Sequence, residues 1–230
     1  MTQPARIHQK QIDSVITALE SKVRNLFHGE GTGHDIYHLK RVLNLALTIQ
    51  EQEGGDRLVI AVAAFLHDLH RIMEKESGSF CPPEASLPQI RTLLDETEIP
   101  SEQREKICSA IEFHEEYDFS EQGKTARDIE TLILQDADNL DAMGAIGIGR
   151  TFTYNGAQGT PIWEPALPFD RLSFDESAAA DPSTIHHFHS KLLRLKDNMN
   201  TETGKRIALH RHEVMERFVK EFLDEWAGKK

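Results

Sequence analysis

The sequence predicts an all-α protein, a single compact multi-helix bundle over residues 1–230. Apolar residues recur at spacings of three and four, the period of a helix with one buried face. Val, Ile and the aromatic residues keep that spacing and do not alternate, so strand signals are almost absent. Glycine and proline clusters cut the pattern into segments of ordinary helical length.

Ile12, Val15, Ile16, Leu19, Val23 and Leu26 form the first stripe, and GEGTG at residues 29–33 ends it. A second helix over residues 35–52 carries Leu39, Val42, Leu43, Ala46 and Ile49, and Gly54 and Gly55 stop it. Asp56 is a good N-cap for the third, RLVIAVAAFLHDL, which is apolar on nearly every side. A helix without a polar face belongs in the middle of a domain. Pro82 and Pro83 make residues 78–88 a loop. Helices are expected over residues 88–96, 101–116 and 127–150. Residues 151–180 hold Pro161, Pro165, Pro168, Gly156 and Gly159 without periodicity, and read as a long irregular lid or substrate loop. Two last helices are expected over residues 182–198 and 201–226.

Acids outnumber Lys and Arg by 38 to 26, giving a net charge of −12. Nucleic-acid polymers are poor partners for such a chain, because they need basic patches that displace counterions. Cys81 and Cys108 provide neither a disulfide framework nor a CxxC metal site. The N-terminus lacks the apolar segment of a signal peptide, and the longest apolar run, residues 58–66, is too short to cross a bilayer. A cytoplasmic protein without a membrane partner is expected.

Charged residues in a buried centre are costly and need a reason. His67 and Asp68 stand together at the C-terminal end of the most apolar helix. His38 shares a stripe with Val42 and Leu45, so it points inward from the preceding helix. Three acids, Asp136, Asp138 and Asp141, interrupt the apolar stretch of residues 134–142. Histidine and carboxylate ligands converging from separate helices are how bundles build metal sites. Helical periodicity leaves the choice among the three acids open. His114 lies on an inward face with Ile107, Ala110 and Ile111, where a purely structural histidine is the alternative to a functional one.

At these residues the chain resembles the HD superfamily of metal-dependent phosphohydrolases, whose H…HD…D signature is matched by His38, His67-Asp68 and Asp138. HDIYHLKRV from His34, QDADNLDA from Gln135, GAIGIGRTF from Gly144, KLLRLKDNMNT from Lys191 and Arg211-His212 resemble one bacterial branch of small HD hydrolases. The resemblance therefore covers nearly the whole chain and implies an HD-domain bundle. It selects Asp138 as the fourth ligand and leaves Asp136 and Asp141 to orient ligands or a bound water. It also implies one divalent ion (Mn, Fe, Co, Ni, Zn or Mg) on His38, His67, Asp68 and Asp138. In the branch a histidine at the place of His114 lies near the substrate, which suggests a general acid or a phosphate contact. His34 would lean over the metal from one turn before His38. Arg150, Lys191 and Lys196 fall in matching segments and are the candidates to bind the phosphate, although the two lysines, five apart, do not share a face, and a solvated surface position is the alternative for each.

The expected reaction is attack of a metal-activated water on a phosphoester or phosphoanhydride of a small phosphorylated metabolite or nucleotide. GSFCPPEASLP at residues 78–88 and Glu115-Glu116-Tyr117-Asp118 depart from the branch, and the added acids would repel a triphosphate. The rival readings are a hydratase or lyase on the same scaffold, a non-catalytic ligand-sensing domain, and a two-iron oxygenase. The oxygenase needs further histidines, and with His70 only two residues past Asp68 and given no role, His114 alone remains, which favours a single metal. His186, His187 and His189 do not have the spacing of a helical ligand pair and are not taken as a second site. Val214, Phe218, Phe222 and Trp226 form a last stripe that would serve the core or a homodimer.

Overall fold

The computed structural model describes residues 3–116, 126–169 and 181–230, with side chains from residue 9 onward, and among them there is no strand. The chain runs through α1 (Gln3–Val23), α2 (Ile36–Glu53), α3 (Arg57–Leu66), α4 (Leu69–Ser77), α5 (Leu87–Asp95), α6 (Ser101–Glu112), α7 (Ile129–Asp141), α8 (Gly144–Ala157), α9 (Thr184–Ser190) and α10 (Glu202–Trp226). Short 3-10 segments cover Pro83–Ser86 and Leu192–Asn198.

The core forms around α3, where every residue from Val59 to Leu66 is buried. Truncating any one of its large side chains to alanine would cost about 2–5 kcal/mol. Helices α1, α2, α6 and α7 pack around it, and α10 lies across α2, α7 and α8. Asp56 starts α3 by accepting the N–H groups of Leu58 and Val59 at 3.0 and 3.2 Å. The Glu130 carboxylate accepts the Asp56 N–H at 2.7 Å, so the first turns of α3 and α7 are clamped together. These two helices therefore run side by side in the same direction. No helix among the described residues is long and apolar enough to cross a membrane.

The structure departs from expectation at helix ends. The expected helix over residues 127–150 is two helices, broken at Ala142 and Met143. Gly144 then takes φ +71, a left-handed conformation open to glycine, and a Cβ there would meet Arg211 Cγ at 3.0 Å. The irregular loop expected from residue 151 begins only at residue 158, because α8 continues to Ala157. Residues 170–180 of that loop, and Tyr117 and Asp118, lie outside the described residues. α6 stops at Glu112, which leaves His114 in the following turn. The helix expected over residues 182–198 divides at Lys191, where φ −125 and ψ −63 are not helical, into α9 and the 3-10 segment Leu192–Asn198.

Candidate metal centre

Three helix ends meet at one place. His38 is in the first turn of α2, and its backbone N–H is accepted by the capping carboxylate of Asp35 at 2.8 Å. His67 and Asp68 occupy the break between α3 and α4. On an uninterrupted helix, neighbouring side chains diverge by about 100°. The break turns both toward the same centre, where they are fully buried. Asp138 joins them from the last turn of α7.

His38 Nε2 lies 3.1 Å from Asp68 Oδ2, 3.2 Å from His67 Nε2 and 3.4 Å from Asp138 Oδ1. His67 Nε2 lies 3.6 Å from both Asp68 Oδ1 and Asp138 Oδ1. Adjacent ligands at right angles around an ion, each at roughly 2.1 Å, stand about 3 Å apart. His38, His67 and Asp138 are grouped closely enough to hold a divalent cation, and Asp68 lies against both histidines at the same place. The tautomers support the same fit. His38 Nδ1 faces Asp141 Oδ2 at 2.8 Å, and His67 Nδ1 faces the Ala64 carbonyl at 2.9 Å. Both partners can only accept, so each Nδ1 carries the hydrogen and each Nε2 presents a lone pair. Two lone pairs at 3.2 Å require a proton or a cation between them.

In the metal-free protein that positive charge is a proton. Burial opposes it, but the carboxylates of Asp68 and Asp138 raise His67 to about 9. Burial also opposes charge on Asp68 and Asp138. The neighbouring imidazoles outweigh it and hold both carboxyls well below the usual range. Asp141 is likewise held down, against burial, by His38 and Arg41. The Arg41 guanidinium is bidentate on it, at 2.8 and 3.0 Å, and Arg150 Nη1 adds a third contact at 2.8 Å.

His34 reaches the cluster from outside α2. Its Nδ1 lies 2.8 Å from Asp68 Oδ2, and its ring stands edge-on to Tyr154 at the exposed margin of the site. Arg150 is brought in through Asp141 and packs beneath Gly33. Lys196 Nζ lies 2.9 Å from His212 Nε2, and Lys191 stands at the break after α9. Asp136 does not orient the cluster. It is buried, accepts from the backbone N–H groups of Asn200 and Thr201 at 2.8 Å each, and so anchors the start of α10. His187 pairs with Asp181 at 2.7 Å, and His186 stacks on Trp163. A groove of about 660 Å³ lined by Gln9, Ile12, Asp56, Arg57, Pro100 and Gln103 opens at the other end of α3. It lies roughly 15 Å along that helix from His67.

Sequence reasoning gave no role to Arg41, His70 and Arg71, which the fold brings to the site. Arg41 lies three residues after His38 on the same face, a spacing that would have marked it. His70 is fully buried, with its ring 5.7 Å from that of His114. The Glu115 side chain, expected to repel an anionic substrate, is instead only 6% exposed and paired with Arg71. His114 lies behind His67, with ring centroids 5.0 Å apart. Burial lowers it to about 4. It is therefore a neutral lone-pair donor near pH 7, which does not suit a general acid.

An HD domain family model matches residues 35–143, a span that contains all four clustered residues. The chain is 33% identical to the uncharacterized protein YpgQ of Bacillus subtilis over 202 residues, 86% of this chain and 87% of that protein. Its structure is similar to the crystal structure of an HD-superfamily hydrolase from Bacillus thuringiensis. That likeness has a TM-score of 0.68 at 35% identity and covers 95% and 98% of the two chains. A Lactobacillus plantarum protein gives a TM-score of 0.73 at 30% identity over 94% and 98%. Bacillus subtilis YpgQ, solved in complex with ADP, gives 0.67 at 30% identity over 93% and 96%.

Proposed function

Because the chain belongs to the HD domain family, we propose that it is a metal-dependent phosphohydrolase acting on a small phosphorylated metabolite or nucleotide. The observation that supports this most directly is the facing pair of imidazole nitrogens, 3.2 Å apart, between two ionised carboxylates.

In this reading His38, His67, Asp68 and Asp138 hold one divalent ion of Mn, Fe, Co, Ni, Zn or Mg. When bound, such an ion supplies a water of lowered pKa and positive charge opposite a phosphoryl oxygen. Asp141 fixes the tautomer and ring plane of His38, and Arg41 and Arg150 keep Asp141 ionised and in place. Arg150 uses one of its five donors on Asp141 and has others to offer a phosphate. In this reading His34, held 2.8 Å from Asp68 Oδ2, contacts the scissile group. The ADP bound by Bacillus subtilis YpgQ favours a nucleotide among the substrates.

The test is a screen of nucleotides and phosphorylated metabolites against protein reconstituted with each ion, with phosphate and pyrophosphate both measured. Release should vanish on chelation and in His67→Ala and Asp68→Ala chains that keep their helical content. Variants that stay folded and retain both metal and activity would end this reading. The two-iron oxygenase reading gains one observation, the meeting of His70 and His114 beside Asp68. Phosphate release by iron-loaded protein without dioxygen uptake would exclude it.

A further inference from the structure

We propose that Glu30 is a positioning residue, whose carboxylate pins the glycine-rich turn between α1 and α2 and so presents His34 to the site. This role rests on the hydrolase reading, in which His34 contacts the scissile group, and it names the group that puts His34 there.

The turn has little to hold it in shape by itself. Residues 29–33 read GEGTG, and glycine loses more conformational freedom on ordering than any other residue. One backbone hydrogen bond, from the Glu30 N–H to the Phe27 carbonyl at 3.2 Å, ties the turn to the chain before it. Side chains supply the rest. Glu30 is turned inward, with its side chain 4% exposed. One of its oxygens accepts the backbone N–H and the hydroxyl of Thr32. The other accepts Lys75 Nζ, from the last turn of α4, at 3.0 Å. The same ammonium donates to the Gly29 carbonyl at 3.3 Å. A buried carboxylate is costly unless donors gather around it, and this one gathers three. Burial opposes its charge, but the Thr32 and Lys75 donors outweigh burial and hold the carboxyl below its usual range.

The contacts form a closed circuit through one helix. Asp68 stands at the start of α4 and Lys75 seven residues later, roughly 10.5 Å along the axis. Asp68 Oδ2 lies 2.8 Å from His34 Nδ1, and Lys75 holds Glu30. The turn is therefore fastened to α4 twice, at its beginning through Glu30 and at its end through His34. Gly33 lies between the two fastenings, with φ +102, and a Cβ there would stand 3.3 Å from Arg150 Cγ and Nε. Lys75 is half exposed, so its ion pair with Glu30 orients the turn more than it stabilises the fold. Without Glu30 the His34 ring, itself a quarter exposed, would depend on one hydrogen bond at the end of an untethered glycine-rich segment.

The test uses the full chain carrying Glu30→Ala and, in case that chain does not fold, Lys75→Met, which removes only the exposed end of the tether. Amide hydrogen exchange over residues 28–34 should quicken at least tenfold in either variant, while exchange in α3 stays as in the wild type. Long-range proton–nitrogen magnetic resonance of the chelated protein at pH 8 reads the His34 ring directly, its signal identified by its loss in His34→Gln. Wild-type His34 should carry its hydrogen on Nδ1, against the Asp68 carboxylate. In the variants the hydrogen should shift toward Nε2, the form an unheld imidazole favours. Phosphate and pyrophosphate release give the second readout. The kcat/KM of Glu30→Ala should fall at least tenfold, but no more than twofold when the same change is made in a His34→Gln chain. An unmoved His34 ring in a folded variant would overturn the proposal, and so would a loss of rate that persists in full without His34. Wild-type protein that releases neither product from any compound would overturn the hydrolase reading instead. The ring signal would then decide by itself whether Glu30 positions His34.

Discussion

Asp141 Oδ2 stands 2.8 Å from His38 Nδ1, and the same carboxylate carries the Arg41 fork and Arg150. The acid never faces the cluster, yet it decides which nitrogen of His38 does. Asp141→Asn keeps the volume and removes the charge. Metal affinity should fall about 10–100-fold, as for other carboxylates that orient a metal-bound histidine. Competition with a fluorescent chelator measures it, and unchanged affinity would show that His38 needs no orientation.

His67 gives the metal-free protein a distinctive response to pH. Its folded value of about 9 lies above the unfolded 6.5, so its stabilisation is complete below pH 6.5 and is lost as pH rises through 9. The loss is roughly 3 kcal/mol at most. His114, lowered to about 4, acts in the opposite sense and only below this window. Melting temperatures of the chelated protein should fall between pH 6.5 and 9. Protein held saturated with metal should show no such fall.

The same proton must leave when an ion binds. Below pH 9, uptake of the ion should release close to one proton from His67, and affinity should rise about tenfold per pH unit. Calorimetry in buffers of different ionisation enthalpy reads this directly. Binding without proton release would place the ion away from His67.

Gly204 tests a different part of the frame. A Cβ there would sit 2.3 Å from Asp136 Oδ2 and 2.9 Å from Thr201 Oγ1. Gly204→Ala should therefore push apart the Asp136–Thr201 contacts that begin α10, costing about 1–3 kcal/mol in urea unfolding. The folded fraction should still bind metal, because none of these groups touches the cluster.

The helical fold was legible because apolar spacing reports burial directly, as at residues 57–66, where no polar face remains. Helix ends were less so. The break before Gly144 was missed although a glycine there is a local stop signal; only its crowding by Arg211, from a distant segment, lay beyond the local sequence. The four clustered residues could be named because charge in an apolar stretch is costly wherever the stretch ends up. His70, Arg71 and Glu115 could not. Their meaning depends on how the turn after α6 approaches the turn after α3, a tertiary relation that no single-segment pattern carries.

The clamp between Glu130 and Asp56 gives α3 and α7 a common origin, and each reaches the cluster after a set count of residues. The ligand positions behave like marks on two rulers pinned at zero. One residue inserted between Asp56 and His67, or between Glu130 and Asp138, advances its mark by 1.5 Å and rotates it by 100°. The pinned end would be unaffected. Length changes in these two stretches should thus be as damaging as loss of a ligand itself, whereas the chain ahead of the pin can vary at little cost to the chemistry.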